Sequence, residues 1–124
     1  MTTLITDAGF TPDDWTDARG ARLDLGADAD PLTVEFRAAA LIVVDFPSFA
    51  DGRGFTIARQ LRLRGYQGRL RAKGHVIADQ YAMARRSGFD EVEIDDSLAQ
   101  RQPEADWIAR ADWQAADYQR RLRG

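Results

Sequence analysis

Residues 39–45, AALIVVD, constrain this chain more than any other stretch. Leu41–Val44 is β-branched and apolar on both faces, which is how a central parallel strand buried on two sides reads. A loop rich in glycine and charge follows, Phe46 to Gly54. From Gly54 to Arg64 the pattern turns helical, with Phe55, Ala58 and Leu61 on one face and Gly65 where a C′ glycine is expected. Strand, loop and helix in that order is how α/β proteins build small-ligand sites.

The same punctuation continues downstream. Leu70–Ala72 reads as a short strand. His75–Ser87 reads as a helix with Ile77, Tyr81 and Ala84 inward, closed by Gly88, and Glu91–Ile94 as the next strand. Pro103 opens a long final helix in which Trp107, Ile108, Ala111, Ala115, Tyr118 and Leu122 recur at three- and four-residue steps. Upstream, ARLDL at 21–25 is a candidate strand. Asp30-Pro31 matches an N-cap followed by Pro at N1, which points to a short helix over Leu32–Ala39, with Thr33 and Val34 leaving a strand as the alternative. Residues 1–20 read as a loose N-terminal segment with at most a strand at Thr3–Ile5, ahead of a single α/β domain over 21–124.

Strands alternating with ten- to fifteen-residue helices imply right-handed crossovers. The expected fold is α/β, with three or four βα units and a mainly parallel sheet, either half-barrel-like or a small open sandwich, and a long C-terminal helix. A half-barrel leaves edges and apolar faces uncovered, which points to a homodimer.

Composition excludes several chemistries. With no cysteine, the chain itself supplies no disulfide, thiol nucleophile or thiolate-held metal cluster, and His75 is its one histidine. A metal site is not expected, and no cofactor is identified from the residues. No apolar run approaches a membrane span and the first residues lack a basic signal-peptide region, so a cytoplasmic protein without membrane contact is expected.

The net charge of −3 is unevenly spread. Residues 51–73 hold seven bases against one acid, whereas residues 1–45 hold three bases against nine acids. The basic block is either an anion- or partner-binding surface or a solvated helix face. Nucleic acid is not the expected partner of a chain with an acidic overall balance and no matching motif.

In a parallel sheet, functional groups gather at the carboxyl ends of the strands. The candidate anion- or partner-binding residues there are Asp51, Gly52, Arg53, Gly54, Arg71, Lys73 and His75. The glycines would let backbone approach an anion, with Arg53 as a forked donor; the alternative is a helix-capping turn with Asp51 and Arg53 paired at the surface. Arg71 and Lys73 share a strand face by period two and could join Arg53 at one mouth. His75, placed just past a strand end, has the chemistry of an acid or base, or of a polar surface residue.

The segments FPSFADGRGF (46–55), AxxLR (58–62), GYxGxLRAxG (65–74) and GFD (88–90) resemble the central block of a bacterial family of unknown function, typically encoded beside the assimilatory sulfite reductase and often labelled a probable oxidoreductase. The likeness covers residues 40–95 well. The family usually carries an acid where this chain has His75, so Asp51, Arg53 and Arg71 are the matching polar residues. The resemblance implies a role near the step from sulfite to sulfide in sulfate assimilation. A chain without cysteine cannot itself carry the siroheme and iron–sulfur chemistry of that reduction, so an accessory partner of sulfite reductase is expected. The alternative is a small α/β enzyme or electron carrier that binds an anionic metabolite or cofactor at the strand ends.

Overall fold

In a computed structural model that describes residues 1–113, strand β4 (Ala39–Phe46) sits inside a six-stranded sheet. The other strands are β1 (Thr2–Thr6), β2 (Gly9–Thr11), β3 (Ala21–Leu25), β5 (Arg69–Gly74) and β6 (Glu91–Asp95), in the spatial order β2-β1-β6-β5-β4-β3. Strands β3 to β6 run parallel, and β1 lies antiparallel to both β6 and β2. The helices are α1 (Arg53–Leu63), α2 (Tyr81–Ser87), α3 (Asp96–Arg101) and α4 (Glu104–Ile108).

From β3 to β6 the spatial order follows the sequence, so each crossover steps in the same direction. Right-handed connections then place α1 and α2 on one face of the sheet. Ile5, Ile42, Val44, Phe46, Leu70, Ala72, Val92 and Ile94 accordingly join Phe55, Ala58, Leu61, Tyr81, Ala84 and Trp107 in one core. Alternation along the strands sends Leu41, Val43, Arg69, Arg71, Lys73, Glu91 and Glu93 to the opposite, helix-free face.

Both main helices stop as the glycines indicate. Gly65 (φ +100°) and Gly88 (φ +117°) take the left-handed conformation. The next residues, Tyr66 and Phe89, donate back to the carbonyls of Leu61 and Ala84, so each helix ends in a Schellman turn with a buried aromatic beyond it.

Four local expectations change. The first eleven residues form the β1–β2 hairpin, and its turn residue Asp7 accepts from Tyr81 Oη and from Arg85 on α2. Residues 32–38 form turns instead of a helix. Asp30 does cap, accepting from the Leu32 N–H at 2.9 Å, but Arg64 takes the carbonyls of Pro31 and Val34 at 2.8 and 2.7 Å, acceptors that a helix would have used. Residues 75–77 bend away from β5, with the Val76 N–H on the Gly74 carbonyl at 3.1 Å, and α2 starts only at Tyr81 after a 3-10 turn (Ala78–Gln80). The helical run expected from Pro103 is short, because α4 ends at Ile108 and turns follow. Ala115, Tyr118 and Leu122 lie outside the described residues.

Candidate functional site

The loop after β4 is shaped by Asp51. Its carboxylate accepts from the Arg53 backbone N–H at 3.1 Å and from Arg53 Nε and Nη2 at 3.0 and 2.7 Å. The Arg53 guanidinium beside it holds the Asp51 carboxyl down at about 2. Arg53's fork is thus engaged by its neighbour, in the arrangement of a capping turn with a surface pair. Gly52 has open space around it, whereas a side chain at Gly54 would run into the Phe46 ring. Gly54 therefore serves the close approach of α1 to β4.

His75 lies one residue past β5. Its backbone N–H donates to the Phe46 carbonyl at 2.9 Å, and its Nδ1 lies 3.1 Å from the same oxygen. A carbonyl can only accept, so Nδ1 carries a proton, and in the neutral ring Nε2 keeps the lone pair. The Phe49 ring stands edge-on to the imidazole at 5.1 Å, and Gln80 Nε2 holds the Phe49 carbonyl at 3.0 Å. Phe49, His75, Asp95, Ser97 and Arg101 border a cleft of about 250 Å³ at the strand carboxyl ends. Ser, His and Asp all line it, but Ser97 donates to Asp95 while His75 turns its proton to a backbone carbonyl, so the order of a nucleophilic triad is missing. The Ser97 hydrogen bond keeps the Asp95 carboxyl below its ordinary value. Ser97 and Arg101 stand one turn apart on α3, a spacing visible in the sequence but not read as part of the site.

Arg71 is on the helix-free face and is fully buried. Its Nε donates to Glu91 at 2.6 Å, Nη1 to Glu93 at 2.9 Å, and Nη1 and Nη2 to the two oxygens of Asp13 at 3.1 Å each. Burial opposes the charge, but the three carboxylates outweigh it and hold the guanidinium ionised above its ordinary value. Arg69 bridges Glu91 and Asp14, both at 2.6 Å, with its guanidinium 5.7 Å from the Trp15 ring. Lys73, half-exposed, stands 3.9 Å from Glu93. Arg53 and Arg71 therefore have no partner in common: Arg53 borders a groove with Asp28, Pro31 and Thr56 beside α1. The basic block is divided: Arg53, Arg59 and Arg64 are exposed and Lys73 half-exposed, whereas Arg62, Arg69 and Arg71 turn to internal partners. Arg62 alone donates to the carbonyls of Gly88, Tyr66 and Gly68 and to Asp90. Glu91, Glu93 and Asp13 were not singled out in the sequence, since their convergence on Arg71 depends on strand neighbours.

Among the described residues no group of three or more His, Asp or Glu side chains could hold a metal ion, and no helix is long and apolar enough to cross a membrane. Comparison with known proteins returns one family model, described as "Bacterial protein of unknown function (DUF934)", which matches residues 20–124. No curated protein and no solved structure matches the chain.

Proposed function

We propose that this chain, which belongs to the bacterial family of unknown function DUF934, is an accessory protein of assimilatory sulfite reduction that acts with or on sulfite reductase. The motifs from Phe46 to Asp90 that resemble a family encoded beside that reductase support the sulfur assignment. The observation that carries the accessory role is the size and make-up of the strand-end cleft. At about 250 Å³ it falls below the roughly 300–1,000 Å³ usual for sites that enclose a cofactor or drug-sized ligand. Its rim instead offers the 43% exposed Phe49 ring, stiffened by His75 and Gln80, with Arg101 beside it. An exposed aromatic held in one position next to a cation is the make-up of a protein-docking anchor. Of the sequence candidates His75 lines this cleft; Asp51, Gly52, Arg53 and Gly54 lead from the Phe49 loop into α1, and Arg71 and Lys73 lie on the other face of the sheet.

The runner-up is a small enzyme or electron carrier that takes an anionic metabolite or cofactor in the same cleft. The second ring nitrogen of His75 favours it, since in the neutral ring it is an acceptor in a residue that shares the cleft with Arg101 and Ser97 and could exchange a proton with a small bound anion.

Growth of a deletion strain tests the reading. Rescue by sulfide and cysteine, but not by sulfate or sulfite, places the protein at sulfite reduction, and normal growth on all four sources removes the sulfur assignment. Copurification of sulfite reductase with the wild-type chain, lost on Phe49→Ala, separates the accessory role from an independent enzyme.

A further inference from the structure

Strands β2 and β3 lie at opposite edges of the sheet, yet only residues 12–20 join them. The segment must therefore cross the helix-free face from edge to edge. Between Pro12 and Thr16 no backbone hydrogen bond ties it to the sheet; it is held by side chains, with Asp13 on Arg71, Asp14 on Arg69 and Trp15 beside Arg69. Asp13 and Asp14 stay part-exposed at 31% and 50%, while the Trp15 Nε1 is buried without a hydrogen-bond partner.

The platform beneath looks built to receive carboxylates. Arg71 presents its Nη1 and Nη2 edge to Asp13 in a two-point geometry, and Arg69 does the same work singly for Asp14. Arg69, Arg71, Glu91 and Glu93 all fall within the part of the chain that the family model matches, which begins at residue 20, while the strap falls outside it.

We propose that the helix-free face is a binding surface for an acidic segment of a partner protein that carries an aromatic residue, and that Asp13-Asp14-Trp15 occupies it in cis. Displacement is geometrically allowed. Thr11 and Ala21 are joined by ten residue steps that reach at most roughly 33–36 Å; five strand spacings part the edges by about 24 Å, and since Thr11 lies level with Asp45 and Ala21 with Ala39, about 20 Å along the strands brings their separation to about 31 Å. With the 3-10 turn at Asp17–Arg19 unwound, the strap bows outward by roughly 5–9 Å, so an extended segment at the usual packing distance of about 10 Å also needs the edge strand β2 to release Thr11 from Leu4. The proposal stands apart from the sulfur assignment, and its test uses no reductase.

The experiment measures binding of a synthetic peptide copying residues 11–19 to the full chain in three forms: wild type, Asp14→Asn and Asp13→Asn/Asp14→Asn. A tethered segment competes at millimolar effective concentration, so loss of its charges should tighten peptide binding about tenfold or more. The Asp14→Asn chain should fall in between. Binding should weaken with salt and vanish for a peptide with Asn at both acidic positions. Equal affinity across the three proteins, no binding to the double variant, or equal binding of the Asn peptide overturns the proposal. If the double variant loses its far-UV signal, Asp14→Asn against wild type decides alone, since Asp14 is half-exposed and its loss leaves Arg71 paired. Tighter binding of a single-stranded oligonucleotide than of the peptide also overturns it.

Discussion

Asp13 accepts from both terminal nitrogens of Arg71 at 3.1 Å, across 58 positions of sequence, and completes the neutralisation of a guanidinium that is fully buried. Glu91 and Glu93 face the same group from the adjacent strand and are themselves only 4% exposed. Arg71→Met would leave Glu91 with Arg69 alone and Glu93 with only Lys73 at 3.9 Å, and the expected loss is about 3 kcal/mol of stability. Urea denaturation followed by circular dichroism checks it; a loss under about 1 kcal/mol would mean that water reaches the cluster freely.

The two loop glycines should behave oppositely. A methyl group at Gly54 collides with the Phe46 ring, so Gly54→Ala is expected to cost about 1–3 kcal/mol through overpacking. Gly52 has nothing within 4 Å, and Gly52→Ala should shift the melting midpoint little. Equal effects at the two positions would mean that the loop is shaped by something other than the α1–β4 contact.

The neutral His75 ring should be the Nδ1–H tautomer. Long-range ¹⁵N–¹H correlation at pH 8 is expected to show the Nδ1-protonated tautomer, fixed by the Phe46 carbonyl. Observation of the Nε2-protonated form would remove the free acceptor from the cleft and, with it, the enzyme alternative.

Acid should unfold the chain through its aspartates. Burial raises Asp7 and Asp13, but hydrogen bonds from Tyr81 and Arg85, and from Arg71, more than reverse it. The Arg69 hydrogen bond lowers Asp14, and the Ser97 hydrogen bond lowers Asp95. Folded values below the unfolded value of about 3.9 mean that these groups bind fewer protons when native. Their stabilisation is complete above that value and is lost as pH falls through the lowered folded values. Urea midpoints should therefore hold level from pH 7 to about pH 5 and drop below about pH 4. Asp13→Asn/Asp14→Asn should flatten the drop, and an unchanged slope would show that the strap carboxylates are not ionically held.

The parts of this fold that rest on local signals are legible in the sequence. The β-branched run of β4, the three- and four-step pattern of α1 and the closing glycines at 65 and 88 each act through neighbours a few residues away. Residues 32–38 misled because Asp30-Pro31 supplies genuine capping chemistry, while the competing partner, Arg64, is over thirty positions distant. The candidate site was half-legible for the same reason. His75 and the Asp51–Gly54 turn follow from where a parallel strand ends. That Arg71 is locked by Glu91, Glu93 and Asp13, whereas Arg101 borders the cleft, depends on which strands become neighbours and on a strap whose path only the topology reveals.

The pairing of β1 with β6 also sets an order of events during synthesis. Thr3 and Asp96, hydrogen-bonded to each other, are 93 positions apart. At roughly 5–20 residues per second, the TTLIT segment emerges about 5–20 s before its mate exists. Throughout that interval an apolar strand edge waits in the open, so β1 is made long before the strand that secures it.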